Sequence, residues 1–106
     1  ELDVKLILTS TGDTHLRAKI TAKFLEIAGR TDIPIGVGMP LEFAPCYQAH
    51  WVDDYDLSRY PGQIIEDGVG AMIDLIQQSA QPVTVIGVIA LIVDAAPSAS
   101  VFDPSP

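Results

Sequence analysis

The alternation of strand-like and helix-like patterns along the chain restricts its fold more than any other feature. Residues 4–9, 32–38 and 82–87 are short runs of apolar and β-branched residues, which predict three strands. A 3.6-residue periodicity predicts one helix over residues 14–28 and a second over residues 63–80. The resulting order, β-α-β-loop-α-β, is typical of a small α/β fold of the three-layer type with a mainly parallel three-stranded sheet.

Each predicted helix carries an apolar stripe that is expected to face the core. In the first helix the stripe recurs at spacings of four, four and three residues, and it consists of Leu16, Ile20, Phe24 and Ile27. In the second helix the stripe consists of Ile65, Val69, Met72, Ile73 and Ile76. Gly68 and Gly70 interrupt that helix at a cost of about 1 kcal/mol each relative to Ala. The sequence therefore predicts that another part of the chain packs closely at these glycines.

Charge and composition exclude several classes of partner. The chain has 6 Lys and Arg against 14 Asp and Glu, a formal net charge of −8, which argues against binding to nucleic acid or to anionic membranes. The longest apolar run, residues 83–93, is roughly half as long as a membrane-spanning helix. No signal-peptide pattern is present, so a cytoplasmic location is the default expectation. Cys46 is the only cysteine, which excludes an internal disulfide and favours a small buried apolar role.

The chain is expected to form one domain over residues 1–96, followed by a disordered tail. The tail, residues 97–106, is rich in Pro and Ser. Within the domain, residues 39–62 form a long connection with many aromatic and acidic side chains, and connections of this length are usually functional or mobile. Its group of Asp53, Asp54 and Asp56 lacks the spacing of a calcium-binding loop, which favours a solvated acidic segment.

Two segments in the same order carry a resemblance to a known family. The first is Leu-Thr-Ser-Thr-Gly-Asp at residues 8–13, followed by Ala-Gly-Arg-Thr-Asp-Ile-Pro-Ile at residues 28–35. The second is Pro-Val-Thr-Val-Ile-Gly at residues 82–87. Over roughly residues 4–96 the chain resembles the N-terminal half of the inosine- and uridine-preferring nucleoside hydrolases. The resemblance implies hydrolysis of the N-glycosidic bond of ribonucleosides.

The resemblance also implies a calcium ion that binds the ribose diol and activates a water molecule. In the family, most calcium ligands come from an Asp-x-Asp-x-x-x-Asp-Asp motif, which would precede Glu1, and from an Asp that would follow Pro106. Of this chain, only the backbone carbonyl of Ala90 matches a metal-ligand position. We therefore expect a nucleoside hydrolase-like domain that is catalytically incomplete as this chain, and that does not bind calcium alone.

Four side chains are candidates for substrate binding. Asp13 takes the place of the family's ribose-contacting Asn, and it is also the candidate catalytic residue. A helix N-cap is its alternative role. His15 follows in the first turn of the same helix, where it could face the same crevice or solvent. His50 and Trp51 could form the wall of a nucleobase pocket, while packing of Trp51 against the core is the alternative.

The resemblance has a consequence for assembly. In the family's sheet, the strand that carries the Asp-rich motif lies between the strands equivalent to residues 4–9 and 83–87. Without it, either a gap remains or these two strands pair directly. A gap would expose unpaired backbone groups and apolar surface, which favours self-association or addition of a partner strand. The rival function is therefore a non-catalytic binding or self-assembling scaffold protein, whose partner is a protein rather than a nucleoside.

Overall fold

The computed structural model describes residues 3–41, 46, 48–86 and 101–102 of the chain. The chain divides into two compact units, Glu1–Leu75 and Ile76–Pro106, which are described separately below. Ala90, expected to match a calcium-ligand position, lies outside the described residues.

The first unit is built on a three-stranded parallel sheet. Its strands are β1 (Ile7–Leu8), β2 (Ile35–Gly36) and β3 (Ile64–Ile65), and their order in the sheet is β1-β2-β3. Ile7 pairs with Ile35, which in turn pairs with Ile64. Together with two helices, this sheet forms a small mixed α/β fold, as the sequence predicted.

The third parallel strand is not the one that the sequence predicted. It lies at Ile64–Ile65, inside the range predicted as the second helix, because the amide of Ile35 donates a hydrogen bond to the carbonyl oxygen of Gln63 at 2.9 Å. The predicted third strand, residues 82–87, is present only as β4 (Val85–Ile86) in the second unit. There it pairs antiparallel with β5 (Val101–Phe102), a strand within the segment predicted to be disordered. The other tail residues lie outside the described residues.

Helix α1 (Thr14–Ala28) has the bounds that the sequence predicted, but it packs through a different face. Its buried residues are Thr14, Ala18, Ala22 and Leu25. Phe24 and Ile27 of the predicted core stripe are 60% and 70% exposed, so that prediction was wrong for these two residues. Both faces have the same four, four and three spacing. The small side chains of Ala18 and Ala22 allow the helix to approach the sheet closely, which explains why their face is buried.

The core extends from the sheet into the long connection between β2 and β3. Two short 3₁₀ helices, Ala49–Val52 and Leu57–Arg59, pack against α1. Val52, Tyr55 and Tyr60 of this connection are at most 5% exposed. The hydroxyl of Tyr60 donates a 2.7 Å hydrogen bond to the carbonyl of Ile33, and this bond ties the connection to β2.

Helix α2 (Gly68–Gln78) begins five residues later than predicted, because Asp67 caps it. The Asp67 carboxylate accepts a 3.0 Å hydrogen bond from the amide of Gly70. Gly68 is the helix's only buried residue, and its amide donates to the carbonyl of Val37 at 3.0 Å. The predicted close packing is therefore confirmed at Gly68. The predicted core stripe was wrong for Val69, Ile73 and Ile76, which are 36–46% exposed, whereas Met72 is partly buried and Ile65 lies in β3.

Candidate functional site

An open crevice lies at the carboxyl ends of β2 and β3, beside the first turn of α1, and we call it the carboxyl-edge crevice. Its volume is about 150 Å³. The lining residues are His15, Val37, Gly38, Met39, Pro40, Glu66, Asp67 and Val69. Open parallel sheets in α/β folds bind ligands at this edge, where loops leave the strand ends. The crevice is therefore the first candidate site in the described part of the chain.

A strained turn connects β1 to α1 beside this crevice. Thr11 has a φ of 67°, in the left-handed region that β-branched residues rarely adopt, and Gly12 follows with a φ of 61°. A non-glycine residue in this region costs about 1–3 kcal/mol. Two hydrogen bonds hold the turn: the Nε of Arg17 donates to the carbonyl of Thr11 at 2.8 Å, and the amide of Leu41 donates to that of Gly12 at 3.2 Å. Such strain is concentrated at functional sites.

Thr9 connects the turn to the end of β2. Its buried Oγ1 donates to the carbonyl of Thr14 at 3.1 Å and accepts from the amide of Gly38 at 3.3 Å. Gly38 allows the close approach, because a Cβ there would collide with the carbonyl oxygen of Thr9. The Oγ1 of Thr14, by contrast, is buried without a hydrogen-bond partner among the described residues. One threonine thus fixes the geometry of the crevice wall, and the other contributes an unsatisfied hydroxyl.

Asp13 is the N-cap of α1, as its alternative role predicted. One carboxylate oxygen accepts a 3.0 Å hydrogen bond from the amide of Leu16. The residue is exposed to solvent. A carboxylate has about four acceptor sites, so capping leaves the other oxygen free to accept a hydrogen bond from a ligand. The cap also fixes the direction of the carboxylate.

His15 lines the crevice and contacts a carboxylate that the sequence analysis did not single out. Its Nε2 lies 2.8 Å from Oε1 of Glu66, and the two side chains are 58% and 69% exposed. Glu66 and Asp67 directly follow β3, so they lie at the same edge of the sheet as the β1–α1 turn. The sequence would have indicated these two residues only if a strand had been predicted at Ile64–Ile65, because they then follow its carboxyl end.

His50 and Trp51 lie elsewhere on the first unit. Both are on the 3₁₀ helix Ala49–Val52, beside the middle of α1. Lys23 donates a 2.6 Å hydrogen bond to the carbonyl of Trp51, and its Nζ lies 4.7 Å from the centroid of the Trp51 ring. Because Lys23 is about 12 Å along the helix from His15, these residues do not join the crevice. Trp51 is 40% exposed, and it is not among the residues that line the carboxyl-edge crevice.

A second depression lies beside Trp51. It has a volume of about 370 Å³ and is lined by Lys23, Glu26, Ile27, Tyr55 and Arg59. Burial and the neighbouring charge of Glu26 raise the pKa of Tyr55 to about 12. The Arg59 guanidinium lies over the Tyr55 ring at 5.5 Å, and its Nε is 3.6 Å from Oε2 of Glu26. The Glu26–Arg59 pair and the contact of Arg59 with the Tyr55 ring give the depression a structural role under the long connection.

The described residues do not fit a calcium ion. Calcium requires six to eight oxygen ligands, and the described part of the chain contains no group of three or more His, Cys, Asp or Glu arranged to hold a metal. The carboxylate of Asp56 accepts from the amide and hydroxyl of Ser58, and these hydrogen bonds lower its pKa. Asp53, Asp54 and Asp56 are all exposed, as expected of a solvated acidic segment.

Neither a membrane-spanning helix nor a known relative was found for the described residues and for the chain, respectively. Among the residues that the structure describes, no helix combines the length and the apolar character needed to cross a lipid bilayer. The chain was also compared with known proteins at three levels. No protein-family model matches it, no curated protein matches it, and no solved structure matches it.

Proposed function

We propose that this chain is a nucleoside hydrolase-like domain whose carboxyl-edge crevice forms part of a ribose-binding site. The observation that carries the proposal is the position of Asp13. It is exposed, its direction is fixed by the cap, and it follows a strained turn at the carboxyl end of β1. Of the segments that carry the family resemblance, residues 8–13 and 28–35 lie in the unit that holds Asp13, and residues 82–87 belong to the second unit.

The chemistry of the crevice suits a polyhydroxylated ligand. Glu66 and Asp67 supply carboxylate oxygens in the crevice, and Asp13 supplies another at the β1–α1 turn beside it. Carboxylate oxygens accept hydrogen bonds from sugar hydroxyl groups. Pro40 and Val69 add apolar surface at the same edge. A few polar groups on an apolar wall are typical of small-molecule sites. The ligand class that this composition favours is therefore a nucleoside rather than a phosphorylated nucleotide, because the crevice is acidic.

Hydrolysis requires more than these residues supply. In the family, the calcium ligands and the general base come from an Asp cluster that this stretch does not contain. The proposal is therefore a domain that forms one wall of the site and is catalytically incomplete as this chain. Carboxylates from another segment or another chain would have to complete it.

The test is an assay of free base released from inosine and uridine, run with calcium and with a chelator. The longest reading frame that contains this stretch is compared with its Asp13→Ser variant, which keeps a helix-capping oxygen but removes the carboxylate. We expect calcium-dependent release that the substitution reduces at least a hundredfold while the melting temperature stays unchanged. The proposal fails if the reading frame encodes no Asp-rich strand, or if it releases no base at high enzyme concentration.

A second candidate function is a non-catalytic binding or self-assembling scaffold. It is favoured by β1, which is an edge strand in the described sheet. The amides of Ile7 and Thr9 donate to β2, so the amide of Leu8 points to the opposite edge. Concentration-dependent association together with silence in the base-release assay would select this candidate.

A further inference from the structure

We propose that Glu66 is the residue of the carboxyl-edge crevice that accepts a hydrogen bond from a ribose hydroxyl group, and that His15 is the positioning residue that holds the Glu66 carboxylate in place. Both roles rest on the proposed function of the crevice as part of a ribose-binding site. They single out one of the carboxylates near the crevice and add a residue that acts through it.

A hydrogen bond between His15 and Glu66 joins two separate parts of the first unit. The Nε2 of His15 lies 2.8 Å from Oε1 of Glu66, a length typical of hydrogen bonds to a carboxylate. His15 is in the first turn of α1, whereas Glu66 follows β3, 51 residues later in the chain. Because a carboxylate only accepts hydrogen bonds, Nε2 carries the proton and holds Glu66 through one of its two oxygens.

The other oxygen of Glu66 is available to a ligand. Among the described residues, none donates a hydrogen bond to Oε2 of Glu66. Glu66 lines the crevice and its side chain is 69% exposed, which leaves room for a bound molecule. A carboxylate has about four acceptor sites, and His15 uses one of them. A hydroxyl group of ribose is a donor that suits such an oxygen.

The other two carboxylates near the crevice are engaged as helix caps. Asp67 accepts a 3.0 Å hydrogen bond from the amide of Gly70, and both of its carboxylate oxygens are among the three atoms nearest to the point where a Cβ on Gly70 would lie. Its carboxylate is therefore held over the first turn of α2. Asp13 caps α1 from the neighbouring turn and is not among the residues that line the crevice. Glu66 is thus the crevice carboxylate that no helix cap occupies.

The contact with His15 should strengthen ligand binding because it fixes Glu66 in advance. A glutamate side chain that is free in solution loses rotamer freedom when it binds a ligand, and a hydrogen bond that already holds it reduces that loss. Removal of the imidazole donor should therefore weaken binding about three- to tenfold. The two side chains are 58% and 69% exposed, and an exposed pair contributes little to stability, so both residues can be replaced in a folded chain.

The test is an NMR titration of the chain with inosine in the presence of calcium, with dissociation constants taken from the amide shifts. Glu66→Gln should weaken binding about tenfold, because the amide provides one uncharged acceptor in place of two charged oxygens. The matched control is Asp67→Asn, which makes the same change of charge in the same crevice and keeps a helix-capping oxygen. It should bind inosine within about twofold of wild type.

Two variants of His15 separate positioning from a general effect on the fold. His15→Ala should weaken binding of inosine about three- to tenfold. His15→Gln should restore it, because the side-chain amide of glutamine donates from a position close to that of Nε2. Three analogues of inosine that each lack one ribose hydroxyl group then identify the contact. For one of them, Glu66→Gln should no longer reduce affinity, because the donor that Glu66 recognises is absent.

Circular dichroism checks that each variant remains folded. Inosine binding that Asp13→Ser weakens and Glu66→Gln leaves unchanged would overturn the role of Glu66 while the proposed function stands. A loss of affinity on Glu66→Gln that persists for all three analogues would overturn it as well. Equal losses in His15→Ala and His15→Gln would overturn the positioning role. A wild-type chain that shows no shifts at saturating inosine would instead contradict the proposed function itself, and both roles with it.

Discussion

The close approach of α2 to the sheet at Gly68 gives the sharpest prediction about stability. The first residue of α2 rests on the backbone of β2. A Cβ added to Gly68 would lie 2.7 Å from the carbonyl carbon of Gly36 and 2.7 Å from the amide nitrogen of Val37, and it would also collide with the side chain of Leu8. Backbone atoms cannot rotate away, so Gly68→Ala must shift the helix or the strand.

Two opposing effects set the magnitude. Alanine is favoured over glycine inside a helix by about 1 kcal/mol. Overpacking costs about 1–3 kcal/mol, and a collision with backbone lies at the upper end of that range. The net expectation for Gly68→Ala is a loss of about 1–2 kcal/mol in the free energy of unfolding, or roughly 4–16 °C in melting temperature.

Gly70→Ala is the matched control on the same helix. There the three atoms nearest to the added Cβ all belong to the carboxylate of Asp67, an exposed side chain that can rotate. Its rotation breaks the hydrogen bond to the amide of residue 70, which costs about 1 kcal/mol. The gain in helix propensity offsets this cost, so the expected net change is close to zero.

Urea unfolding followed by far-UV circular dichroism and by the fluorescence of the single tryptophan measures both variants. We expect a lower urea midpoint for Gly68→Ala and a nearly unchanged urea midpoint for Gly70→Ala. A Gly68→Ala chain at least as stable as wild type would refute it, because propensity alone would then decide the outcome. Equal losses in the two variants would also contradict it.

Three further predictions concern the site and the core. Asp13→Ala should lower the free energy of unfolding by about 1 kcal/mol through loss of the cap, and Asp13→Asn should leave it within a few tenths of a kcal/mol, as chemical denaturation will show. Thr14→Val should raise the free energy of unfolding by up to about 1 kcal/mol, because it removes a buried hydroxyl that has no partner among the described residues. Thr9→Val should lower it by about 1–3 kcal/mol, because the amide of Gly38 loses its hydrogen-bond acceptor. The same denaturation series measures both changes. The pKa of Tyr55 is about 12 in the folded chain and about 10 when unfolded, so its contribution to stability is complete below pH 10 and is lost as pH rises toward 12. Tyr55→Phe should therefore flatten the fall in stability over that interval, and an unchanged slope would contradict the assigned cause.

Local signals predicted much of the fold. Asp13 and Gly29 cap α1 at both ends, and a short polar oxygen and a left-handed glycine are recognisable from sequence alone. The strand at Ile64–Ile65 was missed because its residues also continue a helical stripe. Two residues held by pairing with β2 carry no periodicity of their own. Tertiary pairing, which the sequence does not display, decided between the two structures.

The buried face of α1 shows a second limit. The larger apolar residues, Phe24 and Ile27, predicted the core side, but the sheet accepts the smaller Ala18 and Ala22 at short range. Hydrophobicity alone does not distinguish two stripes of equal spacing. The distance between helix and sheet decides which stripe is buried, and that distance follows from packing of the whole unit.

The candidate site was predictable to the extent that it depends on β1 and α1. His15 lines the crevice and Asp13 lies in the neighbouring turn, because both follow a strand that was recognised. Glu66 and Asp67 were missed together with β3. His50 and Trp51 were expected in a binding wall, but the 3₁₀ helix that carries them packs beside Lys23 on α1. In a long connection, tertiary contacts rather than local sequence patterns determine where the side chains lie.

We propose that the carboxyl-edge crevice is the side of this chain that binds a nucleoside. Amide resonances followed by NMR during titration with inosine and calcium test that claim most directly. We expect shifts grouped at the β1–α1 turn, at Gly38 and at Glu66 and Asp67, with smaller shifts in the Asp13→Ser variant. Shifts centred on Trp51 and Tyr55, or no shifts at saturating inosine, would contradict it.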